Sequence, residues 1–387
     1  MGVTTNEDLY KYDFVIIGAG FFGLTLAHQL ATRSNAKVVV VDKREHLGGN
    51  AYSYTDAETN IEIHKYGSHL FHTSNERVWG FINQFAEFNS YRHTVKTVHK
   101  NQIFSLPINL HTISQFNGHY LNPLEALKWI DLHKVELGRA PANLEEQAIS
   151  LIGKPLYDAF IKGYTAKQWQ TDPINLPPEI IKRLPVRFNF VDRYFDDKYE
   201  GLPVAGYGQL FAKMKDSANF EVRLGFDFDP NEYDISRFKT LVYTGPLDRF
   251  FSYKHGVLGW RTLDFIEERI PVIDYQGTSV LNYADEDVDF TRVHEFKHLH
   301  PERTQSDEIT IIFKEFSRFA NQDDEPYYPI NSKTDRDVLL KYREESLKLT
   351  NVVFGGRLGR YQYLDMHMAI ASALQTSDEL VAARLIL

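Results

Sequence analysis

The motif GAGFFG, Gly18–Gly23, constrains this chain more than any other feature. An apolar run, Tyr12–Ile17, precedes it, and a helical pattern follows to about Thr32. A second apolar run, Lys37–Val41, ends on Asp42, 19 residues beyond Gly23. Strand, glycine turn, helix, strand and acid within about 30 residues make the βαβ unit that receives a dinucleotide. Glycines let the backbone approach a pyrophosphate, the helix N-terminus turns amides toward it, and the acid suits ribose hydroxyls.

The residues after Asp42 separate FAD from NAD. In KREHLGGN, Lys43–Asn50, the pair Gly48–Gly49 permits a second close backbone approach soon after the acid. Such a pair is typical of FAD-binding proteins of the glutathione-reductase-like type. Near the other end, Gly355, Gly356 and Arg357 follow the strand-like Asn351–Phe354, and Leu364, Asp365 and Met366 open a helical stretch, Met366–Leu374. A helix N-terminus there would stabilise negative charge on a reduced flavin.

Composition narrows the field. With 387 residues the chain is long enough for two or three domains. The 52 acidic against 43 basic residues argue against a nucleic-acid binder, so an anionic substrate needs a local basic pocket. The absence of cysteine excludes disulfides, thiol nucleophiles, Cys-ligated zinc and iron–sulfur clusters. Met1–Lys11 is polar, unlike a signal peptide, and no apolar run reaches the roughly 18 residues of a membrane span. A soluble, cytoplasmic protein is expected.

From Asn109 to about Ile181 the pattern predicts helices, starting at Asn122–Pro123 and Asn143, with a third through PLYDAFIKGYTAKQW. Thr171–Pro185 is a Pro-rich connection. From Arg187 to Phe316 strand-like runs dominate: RFNFVDRYF, LVYTG at Leu241, SVLNYAD and EITIIFKEF. The predicted fold is α/β: a glutathione-reductase-like FAD domain from residues 1–88, 203–249 and 350–387, with two insertions. These are a helical domain, 101–182, and an antiparallel sheet domain from 89–100, 183–202 and 250–349. The histidines of GSHLFHT (His69, His72) and HEFKHLH (His294, His298, His300) lack a zinc-helix pattern, so no metal is expected. Tyrosines recurring beside arginines suit a diphosphate.

Strung in order from about Tyr12 to Leu374, GAGFFG, DKREHLGGNAY, GSHLFHT, LPINL, GYTAKQW, LPVRFNFVDRYF, DFTRVHEFKH, EPYYPI and GGRLGRYQYLDM resemble the bacterial UDP-galactopyranose mutase family. Ser68, for an expected Pro, and His93, for an Asn in several relatives, depart from its pattern. The resemblance implies a cytoplasmic isomerase that contracts UDP-galactopyranose to UDP-galactofuranose for cell-surface polysaccharide. It implies non-covalent FAD, active when reduced, with N5 as the nucleophile at the anomeric carbon. Carried over, the cofactor set is Gly18, Gly20, Phe22, Gly23, Asp42, Lys43, Asn50, His69, Leu70, Arg357, Leu364, Asp365 and Met366. The substrate set is His93, Phe160, Tyr164, Thr165, Trp169, Arg183, Tyr194, Asn282, Arg292, Tyr328 and Tyr363. Phe160 and Tyr164, four apart on one helix, would sandwich the uracil. Arg183, Arg292 and His72 form the catalytic set. The flavin's reductant is unidentified, NAD(P)H being the candidate, and a homodimer is the candidate assembly. Two rivals are an amine or sugar oxidase on the same fold and a non-catalytic FAD or nucleotide-sugar binding module.

Overall fold

Side-chain alternation along two four-residue apolar strands sets the first layer. In Phe14–Ile17 and Val38–Val41, the side chains of Phe14, Ile16, Val38 and Val40 enter one core. Val15, Ile17, Val39 and Val41 enter another on the opposite face. A sheet buried on both faces is the environment of parallel strands. In this computed structural model, which describes residues 6–181 and 186–385, the two strands pair in parallel. The sheet has five strands, in the order Val352–Phe354, Leu241–Tyr243, Phe14–Ile17, Val38–Val41, Glu221–Arg223, every pair parallel. Three well-separated stretches of chain therefore build one sheet. Helices Phe21–Ser34, Gly206–Asp216 and Met366–Leu385 cover one face. The last of these runs 11 residues beyond the expected end at Leu374.

A second sheet has seven strands, in the order Tyr328–Pro329, Trp260–Ile270, Thr310–Phe319, Arg292–Glu295, Val280–Tyr283, Val95–His99, Gln102–Leu106. It is the antiparallel sheet that the sequence predicts, with one parallel pairing in it, between Val280–Tyr283 and Val95–His99. Those two strands come from distant chain segments, so no hairpin dictates their direction. Gln102–Leu106 also lies within the stretch assigned to helices. It returns from Val95–His99 through Lys100 and Asn101, both at positive φ (49° and 60°), the backbone a two-residue hairpin requires.

The helical layer contains Leu110–Asn117, Pro123–His133 and Leu144–Leu156. Asn122 forms a capping box with Glu125, and the Asn143 side chain accepts from the Glu146 amide, so both helices start where the sequence placed them. The third expected helix is not uniform. Tyr157–Lys162 is a π-helical turn, and α-helix resumes over Gly163–Trp169.

RFNFVDRYF is not a strand. The Arg187 guanidinium bonds the carbonyls of Val191 and Arg193 and the Asp196 carboxylate, and the Asn189 side chain accepts from the Val191 amide. These local bonds fold the segment on itself, leaving single bridges at Val186 and Arg193. No helix among the described residues is long and apolar enough to cross a membrane.

Candidate active site

The parallel strands deliver their glycines and acid to one edge. Gly18, Asp42, Thr244 and Gly355 each follow a strand, at the carboxyl end of the sheet where ligands of such folds sit. Gly18, at φ 109°, packs so closely that a Cβ would lie 2.0 Å from Thr244 Oγ1. Gly20 is different. Its φ is −80°, and a Cβ there would meet nothing within 4 Å. Neither backbone nor neighbours require glycine at Gly20, so the empty position is room for a ligand. No side chain caps the helix that follows, and its first-turn amides remain available. Asp42 accepts from the Ala19 amide (2.7 Å) and the Arg44 amide (2.9 Å), one per oxygen, which leaves each oxygen a lone pair.

Gly18, Gly20, Asp42 and Thr244 border a cavity of about 630 Å³, as do Phe22, Gly23, Lys43, Asn50, His69, Arg357, Leu364 and Met366. Its volume, the open cradle at Gly20 and the partly free Asp42 fit a flavin dinucleotide. Lys43 and Arg44 both pair with Glu325, and Arg44 also binds Asn50 (2.6 Å). Arg357 grips the last loop through the carbonyls of Leu364 (2.6 Å) and Tyr327 (3.0 Å). Two expected cofactor residues fall outside the lining. Leu70 packs against the core beneath, and Asp365 sits within ligand reach of His72 and His367. Burial holds the His69 imidazole down to about 4.

Beyond the cavity, the large sheet aligns a polar row. Backbone register sets Thr97, Asn282, Arg292 and Glu315 side by side on four adjacent strands. Arg292 Nη2 donates to the Tyr164 hydroxyl (2.8 Å), and its Nε lies 3.0 Å from Glu315 Oε1. Burial opposes the charge on Arg292, yet Glu315 more than compensates and holds the guanidinium above its ordinary pKa. Burial likewise opposes the Glu315 carboxylate, but Arg292 and His294 bring it down to about 2. Tyr164, Tyr194 and Tyr328 all act electrostatically on Arg292. Tyr328 stacks with Tyr363 (5.9 Å), and Arg357 lies over both rings. Thr97 Oγ1 and Asn282 Oδ1 are buried without a hydrogen-bond partner among the described residues. Close packing makes the row: a Cβ on Gly163 would meet the Ala284 carbonyl at 2.4 Å, so the helix carrying Tyr164 abuts the sheet.

His72 donates through Nδ1–H to the Asp197 carboxylate (2.6 Å) and stacks on Phe195 at 3.7 Å. His93 is buried beside Tyr91 and Phe195, and burial with the Arg292 charge lowers it to about 3. Thr165 is buried, while Trp169 packs at the margin of the helical core. Phe160 lies in that core against Phe104 (4.9 Å) and Phe116 (5.7 Å). Its ring is thus committed to packing, and the π-turn alters the spacing from which a uracil sandwich was expected. Tyr194 and Tyr363 are half exposed. Arg183 lies outside the described residues.

Sequence reasoning missed Thr97, Glu315 and Arg261. Arg261 is 1% exposed, donates to Ser317 Oγ (3.1 Å), and has no partner for Nε or Nη1 among the described residues. Burial lowers it to about 10, still a cation at neutral pH. An arginine opening a strand carries no sequence signal of burial; the alternating pattern around Glu315 was the only hint that it faces inward.

Comparison with known proteins adds to this picture. A family model described as GLF, UDP-galactopyranose mutase, matches residues 159–363, and one described as an NAD(P)-binding Rossmann-like domain matches residues 16–85. The chain is 44% identical over 371 residues to a Klebsiella pneumoniae protein named "Probable UDP-galactopyranose mutase", covering 96% of this chain and 95% of that one. It is 40% identical over 368 residues to the dTDP-fucopyranose mutase of Escherichia coli, covering 94% and 97%. A solved structure titled as reduced UDP-galactopyranose mutase shares the fold, with TM-score 0.77 over 96% of this chain and 94% of that chain at 15% identity.

Proposed function

The chain belongs to the UDP-galactopyranose mutase family of flavin-dependent isomerases, and we propose on that footing that it interconverts UDP-galactopyranose and UDP-galactofuranose. Arg292 is the observation that carries this reading: a partly buried guanidinium, paired with Glu315 and bonded to the Tyr164 hydroxyl. An acidic protein needs such a local cation to accept a substrate of charge about −2. A neutral amine or sugar, the substrate of an oxidase on this fold, would have no use for it.

Bound and reduced, FAD would supply a nucleophilic nitrogen, N5, for the anomeric carbon. Gly18, Gly20, Gly23, Asp42 and the 355–366 segment would hold it. The protein's part is positioning and charge. Arg292, with the hydroxyls of Tyr164, Tyr194, Tyr328 and Tyr363, holds the diphosphate while its bond to the sugar breaks, and keeps UDP close for return. Arg183, in the Pro-rich connection, is assigned as its partner cation. Asn282 Oδ1 is an unused acceptor suited to an N–H of the base. Asp197 fixes His72 through Nδ1, so Nε2 is the nitrogen left for a sugar hydroxyl. His93, neutral and buried, would face the sugar. The product would feed cell-surface polysaccharide, with NAD(P)H reducing the flavin and a homodimer as the working assembly.

A second reading follows from the 40% relative: a mutase acting on a dTDP-linked 6-deoxyhexose. Chromatography of the holoenzyme with each sugar nucleotide decides. Dithionite-reduced protein should convert UDP-galactose and the air-oxidised form should not, because N5 of an oxidised flavin is an electron-poor, imine-like nitrogen and becomes a nucleophilic amine only on reduction. Conversion of dTDP-fucose alone would select the second reading, and equal turnover in both redox states would overturn the flavin nucleophile.

A further inference from the structure

We propose that Ser68 is a positioning residue for Arg292: acting through His294 and Glu315, its hydroxyl sets how the diphosphate-binding guanidinium is held. The inference rests on reading Arg292 as the diphosphate site.

Ser68 lies between Gly67 and His69, in the loop that brings His69 to the cofactor cavity. Its Oγ is 2.8 Å from His294 Nδ1. His294 Nε2 is 3.0 Å from Glu315 Oε2, and Glu315 Oε1 is 3.0 Å from Arg292 Nε. His294 and Glu315 are 1% and 3% exposed, so solvent does not compete at the contact between them. A neutral imidazole has one N–H, and a carboxylate only accepts. Nε2 must therefore carry the proton toward Glu315, and Nδ1 must accept from the Ser68 hydroxyl.

That hydroxyl is the group that stabilises this tautomer. Without it, Nδ1 becomes a buried acceptor with no donor, which favours moving the proton to Nδ1. The Nε2 lone pair would then face the Glu315 carboxylate and push Oε2 away. Glu315 has little freedom to move without disturbing its other oxygen, which Arg292 and Thr291 share. The loop backbone also closes one side: a Cβ on Gly67 would stand 2.9 Å from Phe265 and 3.8 Å from Glu315 Oε2. A change at Ser68 is thus passed to Nε of Arg292, whose Nη2 bonds Tyr164.

The test uses holoenzyme labelled with ¹⁵N-histidine, the His294 signals being assigned by their loss in His294→Leu, and UDP affinity measured by calorimetry. Wild type should show the Nε2–H tautomer. Ser68→Ala should shift His294 toward Nδ1–H and weaken UDP binding roughly three- to tenfold, the scale of one hydrogen bond. Ser68→Thr, which keeps the hydroxyl, should restore both, and Ser68→Gly replaces the alanine variant if that loses FAD. In the His294→Leu background, Ser68→Ala should have no further effect on UDP. An unchanged tautomer, unchanged UDP affinity in Ser68→Ala, or the same weakening without His294 would overturn the proposal. A wild type that does not bind UDP sinks the diphosphate reading itself, while the tautomer signals still decide whether Ser68 governs the path to Arg292.

Discussion

Arg292 and Glu315 stabilise each other's charge where burial opposes both. Replacing Glu315 by Gln removes the countercharge and leaves a partly buried, unpaired guanidinium. That should lower unfolding stability by about 3–5 kcal/mol, measured by urea denaturation; a change within experimental scatter would show that solvent reaches the pair. In the proposed reaction, Arg292→Ala would remove the cation from the leaving group, where charge grows as the sugar bond breaks. With the flavin kept reduced, kcat should fall on the order of a hundredfold while KM rises. Near-normal kcat with full FAD content would mean the diphosphate lies elsewhere. Asp42 and the glycines around it were legible because a turn, an acid and a helix start are local features. Arg292 became meaningful only beside Glu315, which is 23 positions away in sequence and one strand away in space.

Short polar signals placed elements well where they act within a few residues. Asn122 and Asn143 cap the helices the sequence assigned to them. The Lys100–Asn101 turn was an equally local signal, and it identifies the hairpin that the helical assignment overran. RFNFVDRYF misled because its aromatic content suits a strand, whereas Arg187 and Asn189 recruit the backbone into a loop. The glycine turn leads to an element-scale prediction. Gly20→Val adds a side chain into open space at an unstrained φ, so the apoprotein should melt within a few degrees of wild type. FAD content after purification should nonetheless collapse, because the valine occupies the cradle. Retention of stoichiometric FAD would show that the pyrophosphate does not pass there.

Across the whole molecule, buried imidazoles give stability a predictable pH dependence. Burial lowers His64, His69 to about 4 and His93 to about 3, against 6.5 when exposed. Below pH 6.5 the unfolded chain therefore binds more protons than the folded one. Their contribution is complete above pH 6.5 and is lost as pH falls toward the folded values, by about 1.4 kcal/mol per pH unit for each histidine. Urea midpoints of the holoenzyme should fall steadily from pH 7 to pH 5, a window above the titration of Glu315; a flat profile would mean these rings are hydrated. The sequence by itself determined the parallel sheet, its cofactor edge, the capped helices and the family, because each depends on patterns spanning a few residues or on motifs in fixed order. Only the tertiary structure decided the polar row of Thr97, Asn282, Arg292 and Glu315, the burial of Arg261 and the bond from Ser68 to His294. Those depend on strand register and close packing between segments far apart in the chain, and no local pattern of residues encodes which strands will lie side by side.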